Sequence, residues 1–281
     1  MVPHMGINPD SARFLRAGRA HGVNFERTLT LGRQYIYGFG HPRLADDFLH
    51  TELGVNSLDA LDASDYQGAT VIHDLNGPLP EHLRGRYTAV YDGGTLEHVF
   101  NAPNALRSVM DLVEMGGHYL AVSPANNQMG HGFYQFGPDF YYRALSAETG
   151  FQVEAMVVVE QGVHRRWFHA VDPAEVGRRF QVRTRRPVEI MVAARRVGRP
   201  VAVESAPQQS DYRLAWEAPE SVRRSRIRRL YDALPDALIR AVEPLAARRA
   251  TSWSNGGFSR IHPESAFQPL SQTLDTQVPT S

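Results

Sequence analysis

Apolar and polar positions along this chain alternate between two periods, and the switches between them mark out strands and helices. Arg27 to Leu31, RTLTL, is short and β-rich, the pattern of a strand. Tyr87 to Tyr91 is apolar enough for a strand buried on both faces, and the glycines between Asp92 and Thr95 break it. Ala102, Ala105, Leu106, Val109, Met110, Leu112 and Val113 then recur at helical spacing, and a second apolar run, Tyr119 to Val122, follows Gly116 and Gly117. A strand, a crossover helix and a strand imply parallel pairing, and a parallel sheet needs helices on both of its faces.

The rest of the chain extends this pattern. Asn8 and Pro9 supply a cap and a starter for a leading helix through Leu15. YIYGFG, residues 35 to 40, reads either as a turn or as a close backbone approach to a ligand. Residues 41 to 53 predict a helix that stops at Gly54; Asn56 to Ala63 and Ala69 to Ile72 predict two further strands. The second of these runs into HDLN, residues 73 to 76, and a loop closed by Gly77, Pro78 and Pro80. Pro138 to Gly150 predicts a helix, and Phe151 to Val159 and Val188 to Ala194 predict strands. Between those strands, residues 164 to 170 and 176 to 187 interleave aromatic residues with arginines, as either an anion-gripping surface or a solvated rim. Residues 200 to 218 read as a linker, and two amphipathic helices over 221 to 249 dock either on this chain or on a second copy. The tail from Thr251 reads as an irregular cover or a disordered segment. The expected division is a helical extension over 1–24, an α/β domain over 25–199, and a linker, helical hairpin and irregular tail over 200–281.

Composition narrows the chemistry. The 281 residues suffice for one substantial core. Thirty basic and thirty acidic residues cancel, so overall charge makes no case for a polyanionic partner, and a nucleic acid is not expected. The absence of cysteine excludes disulfides, a thiol nucleophile and thiolate metal sites. The first twenty residues carry Pro3, Asp10 and three arginines among short apolar runs, unlike a signal peptide or a membrane span. A cytoplasmic protein without membrane contact is the expectation.

In an open parallel sheet, ligands lie beyond the carboxyl ends of the strands. Asp62, Asp74 and Asp92 each follow a predicted strand, which makes them candidates for one common site. Leu29 to Gln34, Asp62, the HDLN segment, DGGTLEHVFN at 92 to 101, PANN at 124 to 127 and GHGFYQF at 130 to 136 together resemble the class I S-adenosylmethionine-dependent methyltransferases over about residues 25 to 196. The resemblance implies a Rossmann-like α/β sheet with helices on both faces, extended by helices at either end. It further implies S-adenosyl-L-methionine as cofactor and transfer of its methyl group to an oxygen or nitrogen of a small metabolite. Within it, Gly32 is followed by Arg33 and Gln34 instead of further glycines. That departure motivates an alternative: a methyltransferase-like binding or assembly protein that does not catalyse.

Residue by residue, the resemblance implies that Gly32 and the Gly93 loop approach the cofactor, that Asp62 accepts from the ribose hydroxyls, and that Asp74 and Leu75 flank the adenine. Each has a plainer rival. Asp62 is otherwise a loop cap, Asp74 an Asx turn before Gly77, and Arg33 an ordinary ion pair instead of a partner for the cofactor carboxylate. Asp92 and His98 are either ligand-facing or structural, with Glu97 expected to serve helix amides. His131 is a candidate general base and Tyr134 a candidate orienting donor on the acceptor side, against a rigid loop packed on the sheet. His73, His98, His131 and Asp74 lack any compact metal-ligand spacing, so no metal is expected.

Overall fold

A computed structural model of the chain describes residues 6–38, 41–65, 67–162, 165–177, 181–199, 207–217 and 251–269. In chain order the elements are α1 (Pro9–Ala20), β1 (Arg27–Leu31), β2 (Tyr35–Ile36), β3 (Arg43–Leu44), α2 (Asp46–Leu53), β4 (Ser57–Asp62), β5 (Val71–Ile72) and β6 (Tyr87–Asp92). They continue with α3 (Ala102–Leu112), β7 (Val113–Pro124), α4 (Pro138–Ala144), β8 (Phe151–Glu160), β9 (Arg166–Ala170), α5 (Pro173–Val176), β10 (Val188–Arg196), α6 (Ser210–Glu217) and β11 (Phe258–Ile261).

Nine strands form one sheet in the order β11-β9-β8-β10-β7-β6-β1-β4-β5. β5, β4, β1, β6 and β7 are parallel, and β10 runs antiparallel between β7 and β8. This mixed sheet, with a helix-packed core on each face, is a Rossmann-like α/β architecture. The unit expected from the hydrophobic pattern, β6-α3-β7, lies at its centre, and β7 begins earlier than the pattern predicts because Gly116 and Gly117 lie inside the strand. A Cβ at Gly117 would stand 2.7 Å from the Thr88 carbonyl oxygen, so glycine is what lets the two backbones approach there.

Two cores sandwich the sheet. In β7, Tyr119 and Ala121 face the core built with α3, while Leu120 and Val122 face the one built with α1 and α2. That alternation is the period of two that a strand imposes on its side chains. On α3, Ala105, Leu106, Val109, Met110 and Leu112 form the buried stripe; each large apolar side chain so buried contributes about 1.5–3 kcal/mol.

α1 begins as its sequence indicates: the Asn8 side chain accepts from the Asp10 and Ser11 amides, with Pro9 in the first turn. The Asn8 amide also donates to Glu189 Oε1 and Oε2 at 3.2 and 3.1 Å, and Gln161 donates to Glu189 Oε1 at 2.5 Å. A polar network around buried Glu189 thus fastens the start of α1 to β10 and to the residue that follows β8. The helix predicted from residue 41 starts at Asp46, because Arg43 and Leu44 pair with Ile36 and Tyr35 as a two-stranded ribbon.

The tail departs from the expected irregular cover. Phe258 to Ile261 pair antiparallel with Ala170 to Trp167 and complete the sheet edge, and the Phe267 ring stacks on Phe14 of α1 at 5.2 Å. The stretch of aromatic residues and arginines from Arg166 is itself β9, with Trp167 and Phe168 buried and Trp253 stacked on Phe168 at 4.0 Å. The helical hairpin expected over 221 to 249 lies outside the described residues. Among the described residues no helix is long and apolar enough to cross a membrane.

Candidate functional site

β1, β4 and β6 end side by side, and their tips bring three polar features to one point. Gly32 closes β1 in the left-handed region, at φ 68°, with its amide donating to the Leu61 carbonyl at 2.7 Å. A Cβ added at Gly32 would lie 3.8 Å from Asp62 Oδ2 and 3.9 Å from Thr95 Oγ1. Thr95, after β6, is held there by donating its hydroxyl to the Leu31 carbonyl at 3.0 Å. Asp62 is half-buried at the end of β4, and its carboxylate has no hydrogen-bond or ion-pair partner among the described residues. A carboxylate at a strand tip, beside a glycine that leaves its side open, is an acceptor for a pair of hydroxyl donors.

The neighbours of Gly32 are engaged with the protein itself. Arg33 pairs with Asp46 Oδ2 in the first turn of α2 at 2.9 Å. Gln34 donates to the Leu31 carbonyl at 2.7 Å, and its Oε1 occupies the space a Cβ of Gly93 would need, 2.1 Å away. Gly93 is therefore covered by Gln34. In the loop after β1, Arg33 is directed to α2 while the Gln34 side chain lies across the tips of β1 and β6.

The loop after β5 divides in the same way. Asp74 is exposed and accepts from the Asn76 amide at 2.9 Å and the Asn76 side chain at 2.8 Å, which forms the Asx turn. These bonds, the backbone one foremost, hold its carboxyl below the usual carboxylate range. Leu75 is buried in the core on the α3 side, and its carbonyl accepts from Asn104 at 2.9 Å. Asp74 and Leu75 thus lie beside the open tip as a turn and its anchor.

Asp92 ends β6 fully buried. It accepts from the Thr95 amide at 2.7 Å, the Gly94 amide at 3.2 Å and the Tyr119 hydroxyl at 3.1 Å. Burial raises its carboxyl well above the usual range, and the nearby Glu97 charge adds to this, while the amide and phenol donors oppose it. Its geometric work is to shape the turn that presents Thr95.

Two residues further on, Glu97 is fully buried, and neither carboxylate oxygen has a hydrogen-bond partner. His98 and His131 both face it: their Nε2 atoms lie 3.8 and 3.6 Å from Glu97 Oε1. The loop after β7 is held against this turn, because the Phe133 amide donates to the Glu97 carbonyl at 2.7 Å. Gly132 makes the approach feasible, since a Cβ there would come within 2.8 Å of the same carbonyl. Glu97 was expected to serve helix amides and instead faces two imidazoles. Adjacent residues 97 and 98 reach one point because a single tight turn, Leu96–His98, carries both. His73 and Asp74, weighed with the two histidines as ligands, are not in this cluster.

Tyr134 belongs to the loop's scaffold: its hydroxyl donates to the Phe100 carbonyl at 2.6 Å and its ring stacks on Phe136 at 5.8 Å. Phe100 and Phe133, largely exposed and edge to face at 5.7 Å, form an apolar lip beside His98. Thr95 was passed over by the sequence pattern, and Glu97 was read only as an acceptor for helix amides. The signal available for them was a short polar insert between a strand tip and a helix start.

No protein-family model matches the chain, and no curated protein matches it. Among solved structures, it is similar to MccD protein at 10% identity, covering 68% of this chain and 100% of that one, with a TM-score of 0.43. An S-adenosylmethionine-dependent methyltransferase from Mesorhizobium loti is similar at 18% identity, over 66% of this chain and 99% of that one, with a TM-score of 0.41. Geranyl diphosphate methyltransferase, solved with SAM, is similar at 13% identity over 66% and 84%, with a TM-score of 0.41. The strand order, not these distant likenesses, carries the fold.

Proposed function

We propose that the chain binds S-adenosyl-L-methionine at the tips of β1, β4 and β6 and transfers its methyl group to an oxygen or nitrogen of a small metabolite. The observation that carries this reading is the convergence of Gly32, partner-free Asp62 and Thr95 at one point of the sheet rim. These residues fit the group: the glycine leaves room, and the open carboxylate suits a ribose diol. When bound, this donor supplies an electrophilic methyl carbon on a sulfonium.

The protein's part is positioning and exclusion of water, which can provide most of the rate enhancement in such a displacement. Asp62 fixes the ribose side, and the Asp92 turn fixes Thr95 beside it. The acceptor side falls on Glu97, His98 and His131, whose imidazoles and carboxylate bracket a point where a hydroxyl or amine would lose its proton. The lip of Phe100 and Phe133 suits an acceptor with an apolar part.

A second reading, binding without catalysis, draws on the filled loop after β1, where Gln34 covers Gly93 and Arg33 is held by Asp46. Incubating the protein with the methyl donor and a panel of hydroxyl and amine acceptors separates the two. Multiple-turnover formation of S-adenosylhomocysteine with a methylated acceptor, followed by mass spectrometry, is expected. Saturable donor binding with no product across the panel favours the second reading.

A further inference from the structure

We propose that Glu97, His98 and His131 form a binding site for one divalent transition-metal ion of the zinc class. One oxygen and two ring nitrogens, one ligand atom from each residue, lie within 4.8 Å of one another. Donor sets of two imidazoles and a carboxylate suit zinc, iron, cobalt and nickel over the harder magnesium and calcium, which take oxygen ligands.

The distances point away from simple hydrogen bonding. Nε2 of His131 and of His98 stand 3.6 and 3.8 Å from Glu97 Oε1, too far for either to satisfy the carboxylate. An ion bound at about 2.0–2.2 Å to each ligand sets tetrahedral ligand edges of roughly 3.3–3.6 Å, close to this spacing. Glu97 is fully buried with both oxygens unpartnered, and the Nε2 of His131, also buried, is unpartnered too. A charged carboxylate taken out of water without hydrogen bonds is costly, and a cation between it and the two imidazoles would remove that cost.

The ligands are also held in advance. Glu97 and His98 share one turn, His131 comes from the loop after β7, and the Phe133 amide ties that loop to the Glu97 carbonyl at 2.7 Å. His98, half-exposed, stands on the solvent side, so three protein ligands would leave open positions for water or for an oxygen or nitrogen of a bound acceptor. Metal binding here does not depend on the methyl-transfer reading, because the ion's ligands all belong to the chain and can be tested without donor or acceptor.

The test is titration of chelator-treated full-length protein with Zn2+ by calorimetry and with Co2+ by visible absorption, in the absence of any methyl donor. One equivalent of Zn2+ per chain and the visible bands of low-coordinate Co2+ are expected. His98→Ala, at a half-exposed position that does not threaten folding, and Glu97→Gln are each expected to weaken Zn2+ by about 100-fold or more, given that even outer partners of metal ligands cost 10–100-fold. His82→Ala, at an exposed histidine outside the cluster, should leave affinity unchanged. Equal Zn2+ affinity in wild type and His98→Ala, or a Co2+ spectrum identical to the hydrated ion, would overturn the site.

Discussion

The phenol of Tyr119, in β7, donates to Oδ2 of Asp92, at the tip of β6, across 3.1 Å of buried interior. With the Thr95 and Gly94 amides it completes the set of donors that holds the Asp92 carboxylate, and so holds the turn from which Thr95 and Glu97 project. Removing the phenol leaves a buried acceptor short of a partner. Tyr119→Phe is therefore expected to destabilise the fold by about 1–3 kcal/mol, read from the urea midpoint. An unchanged midpoint would mean that Asp92 does not depend on this bond.

Glu189 supplies a pH signature. Burial, foremost, raises its carboxyl above the ordinary 4.5, against the bonds from Asn8 and Gln161. The folded protein therefore keeps this proton to higher pH than the unfolded chain does. Its contribution to stability is present in full below the ordinary glutamate range and is lost as pH rises through the raised folded value. Glu189→Gln keeps the acceptor for Asn8 and Gln161 without the charge, so wild type should lose stability relative to the variant as pH rises from 4.5. Thermal melts of both proteins across that range provide the comparison, and parallel profiles would be the contrary result.

The two acceptor-side candidates of the post-β7 loop should separate in kinetics. His131 faces Glu97, whereas the Tyr134 hydroxyl is committed to the Phe100 carbonyl. On an acceptor that turns over, His131→Ala is expected to lower kcat by about 100-fold or more, the scale of losing a group that activates the acceptor either by taking its proton or by ligating an ion beside it. Tyr134→Phe is expected to cost about 1 kcal/mol of stability and leave kcat within a few-fold. Equal losses of kcat would place both side chains against the acceptor.

Much of the fold was legible because its signals are local. The five residues of β1 and the β6-α3-β7 unit follow from apolar runs, glycine breaks and helical spacing within a few turns of chain. β9 and β11 were not legible in that way. Trp167 pairs with Ile261, far along the chain, and the arginines around β9 read as a surface until the partner strand is in place. Likewise Phe267 gives no periodic signal, because its packing partner is Phe14 at the other end of the chain.

The site was legible in part for the same reason. Asp62 and Gly32 sit at strand tips, which the sequence marks, and the sheet brings them together. Asp74 is held by Asn76 in a turn and Gly93 is covered by Gln34, outcomes that depend on side-chain packing and not on spacing. Glu97 was hidden because adjacent residues in a regular helix or strand point apart, while the tight turn at Leu96–His98 lets both reach the His131 ring.

The central claim is that the open carboxylate of Asp62 beside Gly32 holds the methyl donor. Isothermal titration of wild type and Asp62→Ala with S-adenosyl-L-methionine tests it most directly, since Asp62 has no structural partner among the described residues and its loss should leave the fold intact. The account expects one donor site per chain in wild type, weakened in the variant by about 1.5–3 kcal/mol, roughly 10- to 150-fold. Equal affinity in the two proteins, or no binding to folded wild type, would contradict it.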